Sequence, residues 1–238
     1  MRRKLLYTPH PMALLLPHSI FFHIPKTGGS CVRSEVSNAG IPVNEIIKVP
    51  AKKHLSAGTL MHTCPTDVHL TDRFRFAFVR HPLTRYQSYW CFRMLHGWDS
   101  ELQIDRICQN DNFEKFVWAV LTEAPEGWVT RNYCKFLGND FRFLDFVGRM
   151  ENLADDLVTA LTLAGESFDE QALRATPPLN VSSVLPEWQV RCSYSPDLRA
   201  AVCKAEWRVM EHFGYEENEE EAPQVAGTVM SKRTRSIT

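Results

Sequence analysis

Residues 19–36 read SIFFHIPKTGGSCVRSEV, and this stretch predicts how the chain folds around an anion. Residues 19–24 are apolar and rich in β-branched and aromatic side chains, which is typical of a buried strand. Residues 25–30, Pro-Lys-Thr-Gly-Gly-Ser, interrupt that pattern, and residues 31–36 can begin a helix. A strand that turns through glycines into a helix directs free backbone N–H groups and the positive end of the helix dipole to one point. The sequence therefore predicts an anion-binding loop.

The side chains of this loop fit an anion site. Gly28 and Gly29 let the backbone approach an anion closely, because neither has a Cβ. Thr27 and Ser30 add hydroxyl donors, and Lys26 adds a positive charge. The lysine precedes the glycines, so the loop lacks the G-x-x-x-x-G-K-[ST] order of a Walker A loop, and Lys26 can reach the bridging oxygen of a leaving group. The alternative is an ordinary strand-to-helix turn with a solvated lysine.

Residues 73–90, RFRFAFVRHPLTRYQSYW, predict a second strand followed by a helix. Arg80 falls at the carboxyl end of that strand, where ligands of open α/β sheets bind. Pro82 suits the first turn of the helix, and Ser88 lies about two turns after Arg80. An arginine and a serine so placed can hold one phosphate together. Arg85 admits two interpretations, a ligand contact or a salt bridge on the helix surface.

Both stretches resemble the ligand motifs of one enzyme family, the sulfotransferases that use PAPS (3′-phosphoadenosine 5′-phosphosulfate). HIPKTGGS at residues 23–30 resembles the 5′-phosphosulfate loop, most closely that of the carbohydrate branch with its heparan-type and bacterial enzymes. F-V-R-x-P-x-x-R-x-x-S-x-Y from residue 78 resembles the 3′-phosphate motif, and the overall resemblance spans residues 21–215. The resemblance implies that the 3′-phosphate is held by Arg80 and Ser88, and that the 5′ end is held by Lys26, Thr27, Gly28, Gly29, Ser30 and Cys31.

Fold and activity follow from the resemblance as expectations. The expected fold is α/β, P-loop-like, with a mostly parallel central sheet flanked by helices. The expected reaction transfers a sulfuryl group from PAPS to an acceptor hydroxyl, on a saccharide, and leaves 3′,5′-ADP without any metal. One alternative is a P-loop nucleotide kinase, which the missing Walker A order disfavours. The other is a non-catalytic module that binds 3′,5′-ADP or polyanions.

A histidine is the candidate general base. His54 follows two lysines in KKHLSA, and their charges should lower its pKa and keep the imidazole able to accept a proton. KHLSA also resembles the H-x-[ST]-A context of the catalytic histidine in related carbohydrate sulfotransferases. The predicted catalytic residues are therefore Lys26 and His54, with His62 as the second candidate base. The chain has nine histidines, so an ordinary exposed His54 is the alternative.

Later segments corroborate the resemblance. FVGRMENLADD at residues 146–156 resembles a recurring family segment, in which we assign Glu151 and Asn152 to capping and to holding the turn. The loop around Asn180 resembles the L-N-x-S segment of the family, but the basic residue that often follows in relatives is absent here. Trp118 and Trp128 fit either the core or a sugar-stacking surface.

Size and composition agree with one enzyme domain. The 238 residues, 44% hydrophobic and 23% charged, predict a single domain over residues 1–215 and a disordered acidic and polar tail over residues 216–238. A net charge of −1 gives no bulk attraction for nucleic acid. Seven scattered cysteines without zinc spacing predict reduced thiols in a cytoplasmic chain. Prolines interrupt the first 18 residues too often for a signal or a membrane span, so we expect a surface lead-in there.

Overall fold

The computed structural model describes residues 13–43, 45–47, 72–177 and 190–216. In chain order these residues form β1 (Ala13–Leu15), β2 (Ser19–Phe22), α1 (Gly29–Asn38), β3 (Glu45–Ile47), β4 (Phe74–Val79), α2 (Pro82–His96), α3 (Gln103–Cys108), α4 (Phe113–Glu123), α5 (Trp128–Leu137), β5 (Phe146–Arg149), a 3₁₀ helix (Met150–Asn152), α6 (Leu153–Leu163), α7 (Glu170–Arg174), α8 (Pro196–Ala205) and α9 (Trp207–Phe213).

The strands form one mixed sheet in the order β3-β1-β2-β4-β5. Strand β4 pairs in parallel with β2 and with β5, whereas β1 pairs antiparallel with β2 and with β3. The expected α/β class is confirmed, and the expected parallel order holds for β2, β4 and β5. The parallel order is wrong for β1, which is antiparallel to both of its neighbours. Only a short turn separates β1 from β2, and such turns join antiparallel strands.

The predicted surface lead-in is wrong for Ala13–Leu15, because these residues form the buried strand β1. Its three residues are fully buried, and Leu14 pairs with Phe21 in β2 and with Ile46 in β3. Pro17, which we took as an interruption, lies in the turn where no sheet hydrogen bond is required of it. A short strand can be buried here because its neighbours on both sides satisfy its backbone groups.

Alternation along β2 and β4 divides the core between the two faces of the sheet. Ile20 and Val79 belong to the cluster packed with α2, α4, α5, α8 and α9. Phe21 and Phe78 belong to the cluster packed with α1, α6 and α7. Successive side chains of a strand point to opposite faces, so the apolar runs seen in the sequence correspond to strands buried on both sides. The result is a helix–sheet–helix arrangement with both ligand motifs at the carboxyl ends of β2 and β4.

Two elements differ from what their local sequence favours. The apolar pattern FRFLDFV at residues 141–147 is typical of a strand, but β5 begins at Phe146, because Phe141 has a φ of 59° and Asp145 binds the Arg75 side chain at the strand entrance. The sequence from Ser195 to residue 213 is typical of one closing helix, but the helix breaks at Glu206 into α8 and α9.

Glu206 explains the break, because its carboxylate points into the core and caps another helix. The side chain is fully buried and accepts hydrogen bonds from the Val129 and Thr130 N–H groups at the start of α5, each at 2.8 Å. The Thr130 and Tyr86 hydroxyls also donate to it. A carboxylate beside the first turn of a helix satisfies N–H groups that have no partner within the helix. The C-terminal helices are thereby attached to α5.

Several predictions concern residues outside the described ranges. Apart from Glu216, the tail lies outside them, and the single domain over residues 1–215 and the cytoplasmic location stay predictions. Within the described ranges, no helix is long and apolar enough to cross a membrane. The cysteines described there are free thiols.

Candidate functional site

The predicted anion loop joins β2 to α1. Lys26 has a φ of 70° and Gly28 a φ of 86°, so the chain turns sharply through two left-handed residues before α1 begins at Gly29. Such a conformation is costly for a lysine and is found mostly where surrounding structure enforces it. The Thr27 hydroxyl contributes to that structure by donating to the Ile24 carbonyl at 2.8 Å.

The two glycines are required by the packing of the loop. A Cβ on Gly28 would lie 2.2 Å from the Met150 sulfur, and one on Gly29 would lie 2.1 Å from the His23 ring. Close approach to an anion was our reason for these glycines, and contact with the chain's own side chains is a second one. The loop is therefore held between the end of β2 and the turn that follows β5.

Three backbone N–H groups at the start of α1 have no backbone acceptor in the described part of the chain. Among the described residues, no backbone carbonyl accepts from the N–H groups of Gly28, Gly29 or Ser30, whereas the Cys31 N–H donates to the Gly28 carbonyl at 2.8 Å. The fully buried Thr27 hydroxyl is used within the turn, so any contact of Thr27 with an anion falls to its N–H group. The roles of Thr27, Ser30 and Cys31 as ligands stay predictions.

Lys26 lies among arginines. Its Nζ is 4.3 Å from the centre of the Phe92 ring on α2. Burial is the largest cause that lowers the pKa of Lys26 to about 8, and the positive charges of Arg80, Arg93 and Arg85 lower it further. Because Lys26 is half-buried and packs on the Phe92 ring, the alternative of a fully solvated turn lysine does not describe this side chain. The three arginines and Lys26 form what we call the cation cluster.

Arg80 is held at the carboxyl end of β4. The Tyr133 hydroxyl accepts from the Arg80 N–H at 2.8 Å and donates to the Arg80 carbonyl at 2.9 Å. The Arg80 Nε donates to the Thr84 hydroxyl at 3.0 Å, which directs the side chain along the first turn of α2. Thr84 and Ser88 are four residues apart and share one face of that helix. The two residues predicted to hold one phosphate, Arg80 and Ser88, thus lie along the same face.

Arg85 is the buried charge of the cation cluster. It is 2% exposed, which excludes the salt bridge on the helix surface that the sequence also allowed. Its Nη2 donates to the Pro25 carbonyl at 3.3 Å, and its guanidinium packs on the Trp128 and Tyr133 rings. Its Nε and Nη1 are buried without a hydrogen-bond partner, and the ion pairs found among the described residues do not include Arg85. Because an unpaired buried charge is costly, this arrangement fits a bound anion.

Arg93 is a member of the cluster that the sequence analysis did not identify. Its Nε lies 2.6 Å from the fully buried carboxylate of Asp105, which also accepts from the Tyr89 hydroxyl. The i, i+4 spacing of Arg85, Tyr89 and Arg93 on α2 was the available signal, since these positions share a helix face. Asp105 therefore balances Arg93, and in the part of the chain that the structure describes no carboxylate pairs with Arg85.

Glu151 has a structural role, but it holds the start of α2 rather than its own turn, and Asn152, which we expected to cap, makes no side-chain capping hydrogen bond at α6. The Glu151 carboxylate accepts from the His81 N–H at 2.7 Å and from the Tyr215 hydroxyl at 3.1 Å. The His81 Nδ1 in turn accepts from the Leu83 N–H and caps α2. These contacts fix the start of α2 and so the position of Arg80. Trp128, which fits the core or a sugar surface by sequence, is buried beneath Arg85.

The predicted bases lie outside the described residues, as does the loop around Asn180. This holds for both His54 and His62, so their roles stay predictions. Within the described ranges, no group of three or more metal-ligating side chains is found.

Comparison with known proteins agrees with this geometry. The sequence matches the model of the Sulfotransferase family over residues 18–178, which is more than half of the chain. Comparisons with curated proteins and with solved structures found no match. The matched segment contains the anion loop and all of α2, and therefore the whole cation cluster.

Proposed function

The chain belongs to the sulfotransferase family, and from this premise we propose that it transfers a sulfuryl group from PAPS to a saccharide hydroxyl. The observation that carries the proposal is Arg85, a buried guanidinium beside the anion loop for which the described residues supply no carboxylate partner. Lys26 and Arg80 add positive charge around it, which suits a ligand with several negative groups. The saccharide acceptor is supported by the likeness of HIPKTGGS to the carbohydrate branch.

Each motif has a separate part in holding PAPS. We assign the 5′-phosphosulfate to Lys26 and to the N–H groups at the start of α1, where the helix dipole favours negative charge. We assign the 3′-phosphate to Arg80 and Ser88, which lie along one face of α2. Arg85 lies between these assignments, because it donates to the loop from the helix.

Lys26 and His54 have different parts in the transfer reaction. When bound, PAPS supplies the sulfuryl group, whose sulfur bonds to the acceptor oxygen as its bond to the phosphate oxygen breaks. Lys26 stabilises the charge that grows on that phosphate oxygen. His54 takes the proton that the acceptor hydroxyl loses.

Nucleotide selectivity tests the assignment of the 3′-phosphate. The chain should bind 3′,5′-ADP more tightly than 5′-AMP by about 1.5–3 kcal/mol. Only 3′,5′-ADP carries the 3′-phosphate that we assign to Arg80 and Ser88. Isothermal titration calorimetry with both nucleotides measures this difference. Equal affinities would contradict the assignment.

Arg85→Met tests whether the buried charge serves a ligand. Methionine fills similar apolar space, so the free energy of unfolding should stay constant or rise by up to about 4 kcal/mol. Affinity for 3′,5′-ADP should fall by about 1.5–3 kcal/mol. Thermal unfolding and calorimetry measure the two effects, with Arg174→Met as the control, because Arg174 is exposed and paired with Glu170 and Asp155. Strong destabilisation with unchanged affinity would make Arg85 a structural residue.

The activity itself is tested by an acceptor screen with ³⁵S-labelled PAPS. Transfer of label to a saccharide supports the proposal. Binding of 3′,5′-ADP without transfer to any acceptor would favour the non-catalytic module, and turnover of ATP with Mg²⁺ would favour the nucleotide kinase.

A further inference from the structure

A line of four residues connects the two halves of the site along α2. Thr84, Ser88, Phe92 and His96 are spaced four residues apart and therefore share one face of the helix. Thr84 accepts from Arg80 at one end, and Phe92 lies beneath Lys26 further along. Ser88 is buried, Phe92 half-buried and His96 exposed. This α2 stripe thus runs from the proposed 3′-phosphate position, past Lys26, to the surface.

Three basic side chains pack on or near the Phe92 ring. Lys26 Nζ lies 4.3 Å from its centre, and the guanidinium carbon of Arg93 lies 5.3 Å from it. The His96 ring packs on the same phenyl group, with 4.5 Å between ring centres and 43° between the planes. An imidazole that can gain a proton is therefore placed on the same aromatic side chain as the lysine of the anion loop.

The charges around His96 disfavour its protonated form in the free protein. Burial, followed by the charges of Lys26 and Arg93, lowers the pKa of His96. Among the described residues these two are the charged groups that act on the imidazole, one from the loop and one from α2 itself. An anion bound between them would reverse the local field and favour the imidazolium. The exposed ring can exchange a proton with solvent directly.

We propose that His96 is a further anion-binding residue of this site, which takes up a proton when the 5′-phosphate end of the nucleotide binds at Lys26. The imidazolium then donates to an oxygen of that bound end, and the proton returns to solvent when the nucleotide leaves. This inference rests on the proposed function, and His96 belongs to neither ligand motif. His96 acts when charged and the proposed base His54 acts when neutral, so acidification favours the first and opposes the second.

Proton uptake on nucleotide binding tests this role. Calorimetric titration of the full chain with 3′,5′-ADP, at one pH in two buffers of different ionisation enthalpy, gives the protons taken up per nucleotide bound. Wild type should take up more protons than His96→Asn. Acidification should also raise the affinity of wild type for 3′,5′-ADP more than that of His96→Asn. If binding raises the pKa of His96 by one unit, this additional gain in affinity should be about tenfold. Protonation of the nucleotide's own phosphates is common to both proteins and cancels in the comparison.

Two further variants sharpen the result. His212→Asn is the matched control, because His212 packs on Phe141 and Phe213, away from α2, and it should take up protons as wild type does. His96→Lys carries a lasting charge, so at pH 8 it should bind 3′,5′-ADP more tightly than His96→Asn does, without the additional proton uptake. Equal proton uptake by wild type and His96→Asn, or weaker binding by His96→Lys than by His96→Asn, would overturn the role of His96 alone. Failure of wild type to bind 3′,5′-ADP at any pH would instead overturn the proposed function, and this inference with it.

Discussion

Lys26→Ala should slow sulfuryl transfer about 10²–10³-fold, the usual loss when a donor to developing negative charge is removed. Affinity for 3′,5′-ADP should change much less, because Lys26 is placed for charge that grows only as the leaving bond breaks. Turnover of ³⁵S-labelled PAPS and calorimetry on the same preparations measure the two effects. Nearly normal turnover of the variant would contradict a catalytic role and would make Lys26 a structural residue of the turn.

The pH dependence of turnover gives an independent test of Lys26. Since its pKa in the free protein is lowered to about 8, the ammonium loses its proton as the pH rises through that value. The ratio kcat/KM should therefore fall above about pH 8 in wild type. Lys26→Arg is the matched variant, because arginine keeps its charge throughout this range. It should lose the alkaline fall while keeping part of the activity, and an unchanged fall would assign it to another group.

His54→Ala should lower turnover about 10²–10⁴-fold, the usual contribution of a positioned general base. Its affinity for 3′,5′-ADP should stay close to that of wild type, because a base contacts the acceptor rather than the nucleotide. The wild-type rate should also fall at acid pH, as the imidazole takes up a proton and can no longer accept one.

His62→Ala is the control for this assignment, and its effect should be much smaller. If His54→Ala keeps most of its activity while His62→Ala does not, the base is His62 and the sulfotransferase proposal is unaffected. If neither substitution matters, the base is another residue or the acceptor needs none.

The strand, turn and helix that form the anion loop and the start of α2 could be predicted from the sequence, because short-range patterns determine them. The apolar run of β2 and its glycine turn predicted the anion loop, and Pro82 predicted the start of α2. The places of Arg80 at the end of β4 and of Ser88 on α2 followed from the same reasoning, because the apolar run ends before Arg80 and Pro82 begins the helix that carries Ser88. The cap of α8 is equally local, because Ser195 directly precedes Pro196 and its hydroxyl accepts from the Leu198 N–H.

Features that depend on distant segments could not be predicted in this way. Arg85 looks like a surface residue until α5 supplies Trp128 and Tyr133 to cover it. The lowered pKa of Lys26 comes first from its burial and then from the charges of Arg80, Arg93 and Arg85, which lie far along the chain from it. Strand β1 is too short to show a periodicity, and it is recognised only through its pairing with β2 and β3. For Arg85 and Lys26 the deciding interactions join residues far apart in the chain, whereas β1 depends on pairing with β2, which follows it after a short turn, and with β3.

The contacts of Glu206 and Tyr215 set the minimal length of a stable fragment. Both residues follow residue 178, where the match to the family model ends. A fragment trimmed to that match would deprive Val129 and Thr130 of their acceptor and Glu151 of a donor. Trimming would also uncover the apolar side of α4 and α5 that α8 and α9 now shield. We therefore expect a stable fragment to extend through residue 215, beyond the part of the sequence that matches the family model.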